Sequence, residues 1–214
     1  MNAVRKFAFP SVLLAALSGT ALWLVLGKND PPDTFDYGPV DQTGWEWSRY
    51  HSAALPHSPA DGPYETEEGL AHGFSRSRAG ALLAATHISA RIRPQTGPSV
   101  YEPTITEQTT GPGRDALMGA ARDQYAQIGE GSTDRSATLV GYRFLISSPQ
   151  QATLELLVSP EGETTRYSAR LDLRWDGSDW KLIVPEGGGW TPAIPDAQTQ
   201  ADFEPFTGSA HEGA

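Results

Sequence analysis

The sequence has no cysteine. That excludes a disulfide framework, a thiol nucleophile, a thiolate-ligated zinc and an iron–sulfur centre together. Basic residues are scarce, 16 against 26 acidic ones, and the net charge of −10 argues against nucleic acid as a direct partner. The five histidines are His51, His57, His72, His87 and His211. None pairs at i, i+4 and no H-E-x-x-H stretch occurs, so no metal site is legible. Long apolar runs are absent with one exception, at the N-terminus. What is plentiful is glycine (22) and proline (17), against 38% hydrophobic residues in a chain of 214. A packed core then requires the Gly/Pro-rich parts to lie outside it. The length allows one domain of ordinary size with extensions.

The exception runs from Phe7 to Gly27, 21 residues without a charge between Lys6 and Lys28. A helix crossing the hydrocarbon core needs about 20 residues. Residues 7–27 are therefore expected to form a transmembrane helix, with Pro10 in its first turn. A cleaved signal peptide is the rival reading, with Ala16-Leu17-Ser18 as the small-residue site. The apolar run continues past it through Leu26, which favours the anchor. Arg5 and Lys6 precede the span, while Asp30, Asp33, Asp36 and Asp41 follow it. The positive-inside rule puts residues 1–6 in the cytoplasm and the rest outside a cell membrane crossed once. Beyond Lys28 the chain holds the other 13 basic residues and all 26 acids, so the expected ectodomain is strongly acidic.

Residues 28–44 read as a polar linker. Residues 45–73 hold Trp45-Glu46-Trp47 and prolines 56, 59 and 63, and are expected to be irregular, with the tryptophans docked onto the domain. Ser77 can cap a helix over 78–93, with Ala81, Ala85, Ile88 and Ile92 as its apolar stripe and Pro94 as its stop. A short helix is expected after Pro103, and a third over 115–129 ending at Gly129. From residue 137 the period becomes two. Strands are expected over 137–147, 152–158, 165–175 and 180–184, the third turning Tyr167, Ala169, Leu171, Leu173 and Trp175 inward. Residues 191–214 read as a flexible tail. Helices followed by a meander imply an α+β domain over 45–190. Its expected form is an NTF2-like (nuclear-transport-factor-like) or cystatin-like cone, with helices on a curved four-stranded antiparallel sheet.

No residue earns a catalytic, cofactor-binding or metal role, and no cofactor is implied. Gly73-Phe74-Ser75-Arg76-Ser77 lacks the second glycine of a nucleophile elbow and follows no strand. His72 beside it does not make a triad. Ser75 or Ser77 reads instead as a helix cap. Glu67-Glu68 reads as solvated, and Asp176 with Asp179 as turn-shaping residues. Gly187, Gly188 and Gly189 have no following helix, Lys or Ser/Thr that would make a phosphate loop.

Several stretches carry a resemblance: Leu55-Pro56-His57-Ser58 with Gly62-Pro63, His72-Gly73-Phe74-Ser75-Arg76-Ser77, Gly80-Ala81-Leu82-Leu83-Ala84-Ala85, Gly141-Tyr142-Arg143, and Trp175-Asp176-Gly177-Ser178-Asp179-Trp180. Over about residues 45–190 the chain resembles a family of single-pass membrane proteins from conjugative elements of high-GC Gram-positive bacteria. In architecture it is similar to the TcpC-like scaffold subunits of type IV secretion and conjugation machines. The resemblance implies a non-enzymatic role, docking to copies of itself or to other envelope proteins. A surface-tethered ligand-binding or enzymatic domain is the alternative.

Overall fold

A computed structural model describes residues 35, 37–67, 69–128 and 136–208. The chain divides into two units, Met1–Asp33 and Thr34–Ala214, and all described residues lie in the second. Among them no helix is long and apolar enough to cross a membrane. The span expected at 7–27 lies outside the described residues.

The elements follow in the order β1 (Glu46–Tyr50), β2 (Ala53–His57), α1 (Arg78–Arg91), a 3₁₀ turn (Pro94–Thr96), α2 (Pro98–Gln108), β3 (Thr109–Thr110) and α3 (Arg114–Ile128). Then come β4 (Ala137–Ser147), β5 (Gln151–Pro160), β6 (Tyr167–Trp175), β7 (Trp180–Ile183), α4 (Ala197–Gln200) and β8 (Glu204–Pro205). The domain is α+β, but the expected four-stranded antiparallel NTF2-like or cystatin-like cone is corrected. The sheet has six strands in the order β3-β7-β6-β5-β4-β8 and is mixed, because β3 pairs with β7 in parallel. Each added strand is two residues long, too short to show a period in sequence.

Three further expectations are corrected. Residues 46–57, expected to be irregular, form the β1–β2 hairpin, with Pro56 opposite Trp47. Pro56 lacks an N–H, a deficit that a two-stranded ribbon tolerates at its margin. Helix α2 begins at Pro98, not after Pro103, which sits within it. Residues 191–208 are part of the domain rather than a flexible tail. Ala193 bridges Ser168, Glu204 and Pro205 pair with β4, and Phe206 is buried in the core. The late part of the expected linker is tied down as well. Phe35 is buried, Arg78 Nη1 donates to Tyr37 O at 2.6 Å, and Gln42 Nε2 donates to Pro205 O at 3.0 Å.

Helix α1 organises the core. Ser77 caps it, its hydroxyl accepting from Gly80 N at 3.0 Å. Ala81, Ala85 and Ile88 are fully buried, but so are Leu82, Leu83 and Ala84. A helix apolar all round must be covered on all sides. The sheet strands β5, β6 and β7 pack against it, and β2 and α2 also touch it. The alanines set this close approach. Replacing Ala85, which has no exposed surface, with leucine is expected to overpack the layer and cost roughly 1–3 kcal/mol in urea unfolding.

Candidate functional site

Most of the stretches singled out in the sequence converge on two carboxylates, while Gly141-Tyr142-Arg143 lies apart at the β4–β8 edge. Asp179, at the end of the β6–β7 turn, accepts from Gly73 N (2.9 Å), Phe74 N (3.2 Å) and Trp180 N (2.8 Å). The Trp180 indole N–H donates back to Ser75 O at 2.9 Å. The turn and the helix entry are thus clasped by three hydrogen bonds around a buried tryptophan, with the Trp180 N bond closing the turn on itself. Burial pushes the Asp179 carboxyl above its ordinary range, against the downward pull of those N–H groups. Asp176 shapes the turn itself, accepting from Ser178 N and Asp179 N, both at 2.9 Å. Burial raises its pKa, but those N–H groups, the Ser178 hydroxyl and Lys181 outweigh that and hold it well below the carboxylate range.

The second carboxylate is Asp61. Ser75 Oγ (2.5 Å), Ser77 Oγ (2.8 Å) and Ser58 Oγ (3.2 Å) all bond it. Ser75 N also donates to Asp61 O at 3.0 Å. Gly80 completes the node, since a Cβ there would stand 2.0 Å from Ser75 O. Ser75 is therefore held by a carboxylate and a second hydroxyl, with no histidine among its partners. His72 turns to Glu65 instead, Nδ1 to carboxylate 3.4 Å. The geometry makes Ser75 a structural tie, not an activated nucleophile.

Histidine 87 is buried and occupied at both ring nitrogens. Nε2 lies 2.7 Å from Pro56 O and Nδ1 2.9 Å from Arg91 Nη1. The carbonyl requires a proton on Nε2, so Nδ1 is left to accept from the guanidinium. Desolvation first, then the charges of Arg91 and His57, lower its pKa to about 3, although the Pro56 carbonyl opposes them. A neutral, doubly bonded imidazole neither shuttles protons nor binds metal. Among the described residues no group of three or more His, Asp and Glu side chains is placed to hold a metal ion. His51 lies in the β1–β2 turn and His57 at the end of β2. His211 and Glu68 lie outside the described residues. Gly187 and Gly189 are open on the Cβ side, while a Cβ on Gly188 would come 2.8 Å from Leu117 N in α3.

Above His87 lies a cavity of about 450 Å³ between the β1–β2 hairpin, the end of α1 and residues 63–70. Tyr50, Leu55, Pro63 and Leu70 line it, and Arg91 reaches it from α1. A larger hollow of about 610 Å³ is lined by Arg49, Ser136, Glu161, Glu163 and neighbouring small residues. It has a mixed-charge lining and little apolar wall.

Residues 27–206 match the family described as Domain of unknown function (DUF8175). The chain belongs to the DUF8175 family. No curated protein matches it, and no solved structure does. The match reaches Phe206, so the packed C-terminal segment belongs to the DUF8175 domain and is not an appendage. The Asp61 and Asp179 nodes both fall within it. Sequence reasoning placed Ser75, Ser77 and Asp179 in caps and turns but did not bring them together, and it did not single out Asp61. It missed Arg91 and Tyr50 altogether. One signal was available for Arg91: it stands one turn after His87 and between Ile88 and Ile92, a charged residue in a mostly apolar helix.

Proposed function

We propose that this DUF8175 protein is a non-enzymatic, membrane-anchored scaffold whose extracytoplasmic domain self-associates in a conjugation or type IV secretion-like apparatus. The observation that carries the reading is the full engagement of the candidate reactive groups. Ser75, Ser77, Asp61, Asp179 and His87 bond one another or the backbone and leave no nucleophile–base pair free. Side chains so arranged hold a rigid platform.

The docking edge is the β4–β5 hairpin end, and its occupant is a second copy. β8 pairs with β4 only at Gly141 and Tyr142, and no described strand pairs with the outer edge of β4 beyond them. A register shift between Phe144 and Ile146 leaves Leu145 44% and Ile146 48% exposed. Residues 144–153, Phe-Leu-Ile-Ser-Ser-Pro-Gln-Gln-Ala-Thr, carry no charge. On an acidic domain this is where two copies approach with little repulsion. Confinement of copies to a membrane plane raises their effective concentration, so a weak edge contact suffices.

Because the chain has no native cysteine, single-cysteine crosslinking is clean. Leu145→Cys is expected to give a crosslinked dimer in membranes of cells transferring DNA, and Asp123→Cys on α3 is not. Equal crosslinking at both positions, or none at Leu145→Cys, would sink the self-association. Enzyme-like hydrolysis of an ester, sugar or phosphate by the purified chain, lost in Ser75→Ala, would sink the non-enzymatic reading.

A further inference from the structure

Arg91 is 5% exposed and bonded only to neutral partners. Nε donates to Gly69 O at 3.1 Å, and Nη1 to His87 Nδ1 at 2.9 Å and to His87 O at 3.3 Å. The guanidinium lies 4.1 Å over the Tyr50 ring. No described carboxylate pairs with it, and Nη2 has no hydrogen-bond partner among the described residues. A largely buried charge with only neutral partners is costly unless an anion meets it. Tyr50 Oη, on the same wall, is also buried without a partner.

We propose that the cavity between the β1–β2 hairpin and the end of α1 is a binding site for a small monocarboxylate with an apolar body, its carboxylate on Arg91 Nη2. Three features define the ligand class. The cavity volume of about 450 Å³ falls within the range of small-molecule sites, roughly 300–1,000 Å³. Tyr50, Leu55, Pro63 and Leu70 give an apolar and aromatic wall for the body. Two guanidinium side chains line the cavity, buried Arg91 and exposed Arg49, against one carboxylate, Glu46, while His87 is held neutral. Two guanidiniums offset by one carboxylate leave a net single positive charge, which suits a monoanion better than a phosphate dianion. The site does not depend on self-association, since β4 contributes nothing to its lining.

The test is isothermal titration calorimetry of the full chain with 3-phenylpropionate, 3-phenylpropanol and phenyl phosphate. The acid is expected to bind about tenfold or more tightly than the alcohol, the difference expected of one charge-assisted hydrogen bond. Arg91→Lys should weaken it by about tenfold, because the ammonium cannot reproduce the planar fork. Leu70→Trp, on the partly exposed wall, should fill the cavity and abolish binding while leaving the far-ultraviolet dichroism unchanged. It keeps the test decisive if the Arg91 variant fails to fold. Equal binding of acid and alcohol, tighter binding of phenyl phosphate, no binding of the acid at millimolar concentration, or binding that survives Leu70→Trp would each overturn the proposal.

Discussion

Replacing Asp179 with alanine is expected to destabilise the domain by roughly 3–5 kcal/mol, read as a lowered midpoint of urea unfolding at neutral pH. The side chain is 7% exposed and accepts three backbone N–H groups. Alanine leaves those donors unpaired where water has little access. Each unsatisfied group costs about 1–3 kcal/mol, and some relief comes from removing a desolvated carboxylate. Asp179→Asn keeps one acceptor oxygen and should lose about half as much. The raised Asp179 pKa fixes the sign of its pH dependence. The folded state holds the proton more tightly than the unfolded chain, so this group's contribution falls as pH rises from the ordinary carboxylate value through the folded one. A variant as stable as the parent would mean that the turn and the helix entry are held by other contacts.

The central elements were legible because their residues repeat. Period-two alternation locates β4 to β7 within two residues at each end, and Ser77 with the apolar stripe locates α1. What the pattern could not show is pairing at a distance. Thr109 and Thr110 become a strand only because β7 has a free edge beside them. Phe203 and Phe206 are the buried apolar residues in a stretch of proline, glycine and acid, which was the available hint that residues 191–208 fold back. The β1–β2 hairpin was hidden by Pro56, since a proline argues against a strand unless it lies at a margin. The Asp61 and Asp179 nodes were illegible for a different reason. Serine and aspartate satisfy nearby backbone in most loops, and nothing local says that Asp179 will reach residues 73 and 74, more than a hundred positions earlier.

Acid is expected to weaken the domain below about pH 6.5 through His87. Its folded pKa is lowered to about 3 from an ordinary 6.5, with burial as the main cause. The native state therefore takes the imidazole neutral, while the unfolded chain binds a proton below about pH 6.5. The stabilisation is fully present above that value and is lost progressively as pH falls towards 3. A shift of this size corresponds to on the order of 5 kcal/mol over the whole window, a large share of a typical domain's stability. Physically, protonation would place a second cation 2.9 Å from Arg91, at a nitrogen whose lone pair the guanidinium already uses. Urea midpoints measured from pH 7 to pH 4 should fall steadily, and His87→Gln should flatten that slope while lowering stability at pH 7. The His87 ring resonances should stay at their neutral positions down to pH 4. Their titration near pH 6 in the folded chain, or a stability that is flat across this window, would contradict the buried neutral tautomer. A carboxylate ligand on Arg91 would supply a negative charge close to the same ring, so the acid sensitivity of His87 should be smaller with 3-phenylpropionate bound than without it.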